Sequence, residues 1–298
     1  MRRALRMGAA IVCGLVAGTV AAVTAAIVRW NVETARCVVR LRERADADAP
    51  PYSRDELAGL PDPVVRYFDF ALTPGQPIVR NLRIRQTGEF AMRPEAWQPF
   101  TAVQVFSVPP GFLWDARVRL APGMSFYVRD GYVAGEGVLY GAVSALIPVV
   151  NERGTPAMAS GELLRYLVEA VFFPTALLPR DGVSWLPIDE STARVTLTDG
   201  ATTVSSDVTF GERGEVTGIS ALRNHDIHHA ATLTPWFGRF RDYRRVEGMM
   251  IPTYGEVEWR LPEGPFCYFR GRVVDARYDF APDRPVAPAS ALQPAASR

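Results

Sequence analysis

From residue 79 onward, stretch after stretch of this chain alternates apolar and polar residues with a period of two. That alternation limits the fold more than any other feature. Leu82, Ile84, Gly88 and Phe90 alternate with Arg83, Arg85, Thr87 and Glu89. Phe112, Trp114, Ala116, Val118 and Leu120 alternate with Leu113, Asp115, Arg117 and Arg119. The same beat runs through Ala193, Val195 and Leu197, through Val204, Val208 and Phe210, through Val257, Trp259 and Leu261, and through Val274, Ala276, Tyr278 and Phe280. Successive side chains of a strand point to opposite faces, so this pattern predicts antiparallel strands with one buried and one wet face. Turn residues punctuate them: Pro109-Pro110-Gly111, Pro122-Gly123, Asp130-Gly131, Asp199-Gly200 and residues 211–214. About ten strands are expected. Helices do not alternate with them, which argues against a parallel, doubly wound sheet.

Two helical signals precede the strands and a third interrupts them. Ser53 and Glu56 form a capping box ahead of a short turn. Asp62-Pro63 opens a second helix to about residue 72, with Val64, Tyr67, Phe68 and Leu72 on one face. Thr155-Pro156 caps a third, residues 158–173, which Pro174 ends. On it Glu162, Arg165 and Glu169 share a face.

Ahead of all this lie residues 8–28, uncharged and mostly apolar. About twenty such residues in a helix cross a hydrocarbon core roughly 30 Å thick. Arg2, Arg3 and Arg6 would also suit a cleaved signal peptide, but the run is longer than the usual apolar region and no small-x-small cleavage site follows. The expectation is an uncleaved single-pass anchor. Gly14 and Gly18 form a GxxxG pair that a Gly/Ala-rich span yields by chance, so no dimer is read from it. The expected organisation is an anchor over residues 1–30, an Arg-rich juxtamembrane linker over 31–52, one β-rich domain over 53–280 and a Pro/Ala-rich disordered tail over 281–298. A formal net charge of +1 argues against a nucleic-acid binder, and the arginines at 29, 36, 40, 42 and 44 suit anionic headgroups. By arginine count alone they tip the orientation slightly toward a cytoplasmic body. Cys13 falls in the apolar run; whether Cys37 and Cys267 pair depends on the fold.

No motif assigns a reaction. The chain has no Gly-x-Ser-x-Gly elbow, phosphate-binding loop or His-Glu-x-x-His. His225-Asp226-Ile227-His228-His229 holds every histidine, yet reads as a solvated loop rather than a metal site. Glu162, Arg165 and Glu169 read as a structural ion network, with an acid/base set as the alternative. Asp115 falls on the face opposite Trp114. Phe112, Trp114, Trp185, Trp236 and Trp259 fall on or near inward faces; each alone reads as core, while together they could line a cavity. No catalytic residue, metal or cofactor is expected, and oligomeric state is left open.

Several segments resemble an uncharacterised bacterial family of unknown function. They are Leu60-Pro-Asp-Pro-Val-Val-Arg-Tyr, Gln86-Thr-Gly-Glu-Phe, Pro110-Gly-Phe-Leu-Trp-Asp-Ala-Arg, Gly161-Glu-Leu-Leu-Arg-Tyr-Leu, Phe173-Pro-Thr-Ala-Leu-Leu-Pro, Thr196-Leu-Thr-Asp-Gly, Thr234-Pro-Trp and Met250-Ile-Pro. The resemblance spans residues 60–281 and brings no activity. The order of elements, a Gly-Glu-Phe strand, a Trp-Asp strand, a hairpin around Asp130-Gly131, an internal helix and further strands, is similar to the lipoprotein-carrier fold. That resemblance implies an α+β, mainly antiparallel architecture: an incomplete barrel, or strongly curved sheet, wrapped around helices. It also implies an apolar cavity, a lipid-like ligand such as an acyl chain, and an extracytoplasmic body at the cell membrane. The alternatives are a hydrolase-type enzyme using Glu162, Glu169 or the histidines, and a scaffold presenting the sheet to a protein.

Overall fold

Each stretch that the alternation marks is a strand in the computed structural model, which describes residues 2–43, 50–225, 232–280 and 293–294. The chain opens with α1 (Arg2–Glu43), passes one 3-10 turn (Arg54–Leu57) and α2 (Asp62–Ala71), and enters the sheet. The first run of strands is β1 (Asn81–Ala91), β2 (Trp97–Ser107), β3 (Gly111–Ala121), β4 (Met124–Val133), β5 (Glu136–Val143) and β6 (Ile147–Arg153). Then comes α3 (Pro156–Glu169), followed by two 3-10 turns to Leu177. The second run is β7 (Val183–Pro187), β8 (Thr192–Asp199), β9 (Thr202–Phe210), β10 (Val216–His225), β11 (Thr232–Val246), β12 (Met249–Leu261) and β13 (Gly264–Asp279). The sheet order is β6-β5-β4-β3-β2-β1-β13-β12-β11-β10-β9-β8-β7, all neighbours antiparallel, with Gln293–Pro294 paired beside β11. The barrel is not closed: β6 and β7 end the order unpaired with each other.

Among the described residues thirteen strands follow one another in the sheet order, against the expected ten or so. One expected turn, Asp130-Gly131, is no turn. Both residues sit inside β4, where Gly131 faces Leu113 on β3 and Val138 on β5. A Cβ at Gly131 would collide with the Phe112 carbonyl oxygen, so the glycine serves close backbone approach. A second correction concerns Val274, which is exposed while Val273 is buried. Opposite Arg85/Gln86 the register skips Val274, a β-bulge that reverses which side chains face inward.

Curvature has a visible cause. Gly88 on β1, Gly271 on β13 and Gly255 on β12 stand side by side across the middle of the sheet. A Cβ at Gly88 would strike the Arg270 carbonyl oxygen and the Phe100 ring. A row without side chains lets neighbouring strands bend sharply. The Phe100 and Phe269 rings, centroids 5.2 Å apart, cover it. We expect Gly88→Ala to cost about 1–3 kcal/mol, read from the midpoint of chemical denaturation.

Helices α2 and α3 pack into the main core, and α3 fills the concave side. Thr155 caps α3 by accepting from the Met158 amide, and α3 buries Leu163, Leu164, Tyr166 and Leu167. Tyr166 and Tyr278 donate their hydroxyl protons to the Ser107 and Phe172 carbonyls, tying helix and following turn to the sheet. Asp62 is the first residue of α2, one place earlier than Asp62-Pro63 suggested, and Pro61 takes the capping position.

The first helix differs most from expectation. It runs past residue 30 to Glu43, 42 residues in all, about 63 Å long at 1.5 Å per residue. Residues 31–43, expected as linker, are its C-terminal turns and lie against the outer face of the sheet. Trp30 is buried; its indole donates to Asp115 Oδ1 at 2.9 Å, stacks on Tyr140 and meets Tyr127 edge-on. Arg129 lies over the Trp30 ring, 4.1 Å from its centroid, and pairs with Glu33 at 2.8 Å. Leu41, almost fully buried, sits against Gly111 at the far end of β3. The placement of Asp115 opposite Trp114 holds, and its role is to receive α1. Burial there, only partly offset by the Trp30 hydrogen bond, raises the Asp115 carboxyl above its ordinary range.

Candidate ligand cavity and its ionic end

Between the concave sheet and α3 lies a cavity of about 320 Å³. Phe90, Val118, Phe126, Val128, Phe172, Phe240 and other apolar side chains form most of its wall. Two tryptophans contribute rings: the Trp114 indole donates to Gln86 Oε1 at 2.9 Å and the Trp236 indole to the Tyr268 hydroxyl at 3.0 Å. With their single polar atoms satisfied by neighbours, both turn apolar faces inward.

One part of the wall is ionic. Arg165, from α3, reaches Asp130 on β4 and Glu169 one turn along its own helix, the latter at 3.0 Å. Gln104 on β2 donates to the other Glu169 oxygen. The Arg165 guanidinium also lies 5.1 Å from the Phe112 ring centroid and 5.3 Å from that of Trp114. Glu162, a turn earlier, accepts from Arg223 on β10 at 2.8 Å, and Arg223 lies over Trp236. Thus α3 is pinned to both halves of the sheet, through β4 on one side and β10 on the other. Burial works against the charge of Arg165, but Glu169, Asp130 and Glu162 outweigh it and hold the group protonated. Burial, reinforced by Asp130, pushes the Glu162 carboxyl up to about 8 despite Arg223 and Arg165.

A family model matches residues 50–271. The chain belongs to DUF6544, a family of unknown function. No curated protein matches it. Among solved structures it is similar to a LolA superfamily protein of Nitrosomonas europaea, at 10% identity over 72% of this chain and 90% of that one, with a TM-score of 0.41. It is also similar to a domain described as an outer membrane lipoprotein-sorting protein from Vibrio parahaemolyticus, at 10% identity over 67% and 85% of the two chains, TM-score 0.40.

In this DUF6544 chain the aromatic residues singled out from sequence separate into two groups. Trp114 and Trp236 line the cavity. Trp259 stands behind Trp236, centroids 6.4 Å apart, and stacks on Tyr268. Phe112 is in solid core against Phe106, and Trp185 packs between Phe68 and Phe210 while donating to the Leu177 carbonyl. Glu162, Arg165 and Glu169 do form an ion network. Its other members, Asp130, Arg223 and Gln104, carry no local sequence signal, because they arrive from strands 35, 61 and 65 residues away. The run His225-Asp226-Ile227-His228-His229 lies outside the described residues, apart from the His225 backbone in β10; among the described residues no cluster fit for a metal ion occurs. Cys13, Cys37 and Cys267 are free thiols.

The Glu162 shift gives the DUF6544 body a pH dependence. In the unfolded chain this carboxyl ionises near its ordinary 4.5, while in the folded one it keeps its proton to about 8. Ionisation therefore favours unfolding across that window, so this group's contribution is fully present below about pH 4.5 and lost as the pH rises to about 8. We expect Glu162→Gln to flatten that part of the stability–pH curve, a change on the order of a few kcal/mol in urea titrations between the two ends. An identical slope in the variant would remove Glu162 as its source.

Proposed function

We propose that this protein holds a hydrophobic, lipid-like molecule in its interior while α1 keeps it at a membrane. The cavity carries this reading. Protein interiors ordinarily leave few voids larger than a water molecule. A space of about 320 Å³ with an apolar wall falls instead in the range of small-ligand sites, roughly 300–1,000 Å³. The ionic patch beside that wall suits a molecule with an apolar body and one small polar head, since Arg165 and Arg223 offer guanidinium N–H groups there. The membrane placement rests on α1, whose stretch over Ala10–Glu43 is long and apolar enough to cross a bilayer and is nearly free of contact with the body in its most apolar window.

The test uses the full chain in mild detergent, with a dansyl-labelled fatty acid as probe and lipid extraction followed by mass spectrometry. Gly255→Leu is the informative variant. Gly255 lines the cavity, and the nearest atoms to a Cβ there, the Phe240 ring at 3.5 Å and the Arg239 carbonyl oxygen at 3.8 Å, are at ordinary contact distance, so the site admits a Cβ without backbone collision. Saturable probe binding is expected in the natural sequence, weakened about tenfold or more in Gly255→Leu, the equivalent of 1.4 kcal/mol or more. Absence of saturable binding, or equal binding by the variant, would overturn the reading.

A further inference from the structure

The β5–β6 turn carries four consecutive exposed apolar residues, Leu146-Ile147-Pro148-Val149, with Ile147 60% and Val149 64% exposed. A run of this length facing water has a function or is a liability. The hairpin tips beside it repeat the feature. Met92 at the β1–β2 turn is 59% exposed and Met124 at the β3–β4 turn 40%. All three tips lie along one edge of the sheet, because β1 to β6 are consecutive antiparallel neighbours. Arg93 and Arg119 stand exposed just behind them.

The position of α1 says what covers this edge. Leu41 lies against Gly111, at the opposite end of β3 from these tips, whereas Ala26 and Trp30 are buried in one cluster with Ala142 and Ala145, at the β5–β6 tip itself. The helix thus runs along the outer face toward the tips and passes beyond them at about residue 26. Its exposed apolar turns, residues 10–22, continue outward past the same edge. If those turns cross a bilayer, the bilayer surface falls level with Ala145 and with the four apolar residues that follow it. The cavity reaches this edge too, since Met92, Phe126 and Val150 belong to its wall.

We propose that the tip residues Leu146, Ile147 and Val149, with Met92 and Met124, are a second membrane-contacting element, seated in the same bilayer that α1 crosses, so that the cavity opens onto lipid. The inference rests on the membrane placement of α1. The occupant is a phospholipid surface: apolar tips enter about 5–10 Å to the headgroup–acyl boundary, while Arg29, Arg93 and Arg119 meet anionic headgroups. A ligand moving between bilayer and cavity by this edge does not cross water.

The experiment uses the full chain with Cys13, Cys37 and Cys267 replaced by alanine, reconstituted into phosphatidylcholine–phosphatidylglycerol vesicles. Ile147→Cys, Val16→Cys and Glu212→Cys each carry the fluorophore NBD, and part of the lipid carries a nitroxide on its acyl chain. Residue 16 lies in the apolar helix, and residue 212 in the β9–β10 turn beside α2, away from the tips. The expected result is blue-shifted emission and roughly twofold or greater nitroxide quenching at 16 and 147, with water-like, unquenched emission at 212. Quenching at 16 with water-like emission at 147 would overturn the second contact and leave the anchor standing. Blue-shifted but unquenched emission at 147 would assign the tip to a protein contact and overturn the proposal. No quenching at 16 would remove the membrane placement itself.

Discussion

Arg165→Met is expected to cost the fold about 3–5 kcal/mol, the loss that follows when one partner of a buried ion pair is removed. The side chain is 13% exposed and stands between the carboxylates of Asp130 and Glu169, which are 18% and 17% exposed. Without the guanidinium, two neighbouring acids stay out of water with no cation between them, and α3 loses its tie to β4. Thermal unfolding of the protein in mild detergent, followed by tryptophan fluorescence, should fall by roughly 6–20 °C for a body of this size. The triple change Arg165→Met, Asp130→Asn, Glu169→Gln tests the cause. Removing charge from all partners should recover most of the loss, because a buried ionic set replaced as a whole is often near neutral. If the triple variant is no more stable than the single one, the loss comes from missing packing against Phe112 and Trp114, and the electrostatic account fails.

Trp30→Ala is the second large effect, and it acts on the junction between α1 and the body. The indole is 2% exposed. Truncating a buried tryptophan costs about 3–5 kcal/mol. The variant also strips Asp115 of a hydrogen-bond donor in a site where burial already disfavours its charge, and it takes the ring from under Arg129. The loss concentrates on docking of residues 31–43. Their amides should exchange hydrogen about a hundredfold faster or more, by the tenfold-per-1.4 kcal/mol rule, while β12 and β13 amides keep their rates. Uniform acceleration across the molecule would show instead that the helix is part of the core, and unchanged rates at 31–43 would show that Glu33–Arg129 and Leu41 hold it unaided.

The sequence disclosed the strands better than their number. Where a strand has one wet and one buried face, alternation identifies it, as in β1, β3, β8 and β9. The strands added by the structure, such as β2 and β5, lack that contrast: β2 buries Val105, Phe106 and Ser107 in succession. Asp130-Gly131 has the composition of a turn and the location of a strand, because the glycine is needed for backbone contact across the sheet. Bulges are likewise silent in sequence, so the inward phase at Val273 and Val274 could not be read. Glu162, Arg165 and Glu169 were legible as one helical face because helix periodicity is local. Asp130, Gln104 and Arg223 were not, since only the folded sheet brings them there. The continuation of α1 to Glu43 was hidden by composition: arginines spaced along the helix resemble a polar linker, and its docking depends on Trp30 and Leu41, whose partners are far along the chain.

The unclosed seam between β6 and β7 has one further consequence. In a closed barrel the bore is fixed by strand number and stagger, through an unbroken circuit of backbone hydrogen bonds. Here the circuit is cut, and the two runs of strands, β1–β6 and β7–β13, are joined in the sheet where β1 pairs with β13. Across the concave side the two halves are bridged by side chains: α3 grips Asp130 on one and Arg223 on the other, and the Tyr132 hydroxyl on β4 donates to Asp199 on β8 at 2.8 Å. The width of the interior is therefore set in part by side chains rather than by an unbroken backbone circuit, so a change on α3 can alter it while the strands keep their pairing.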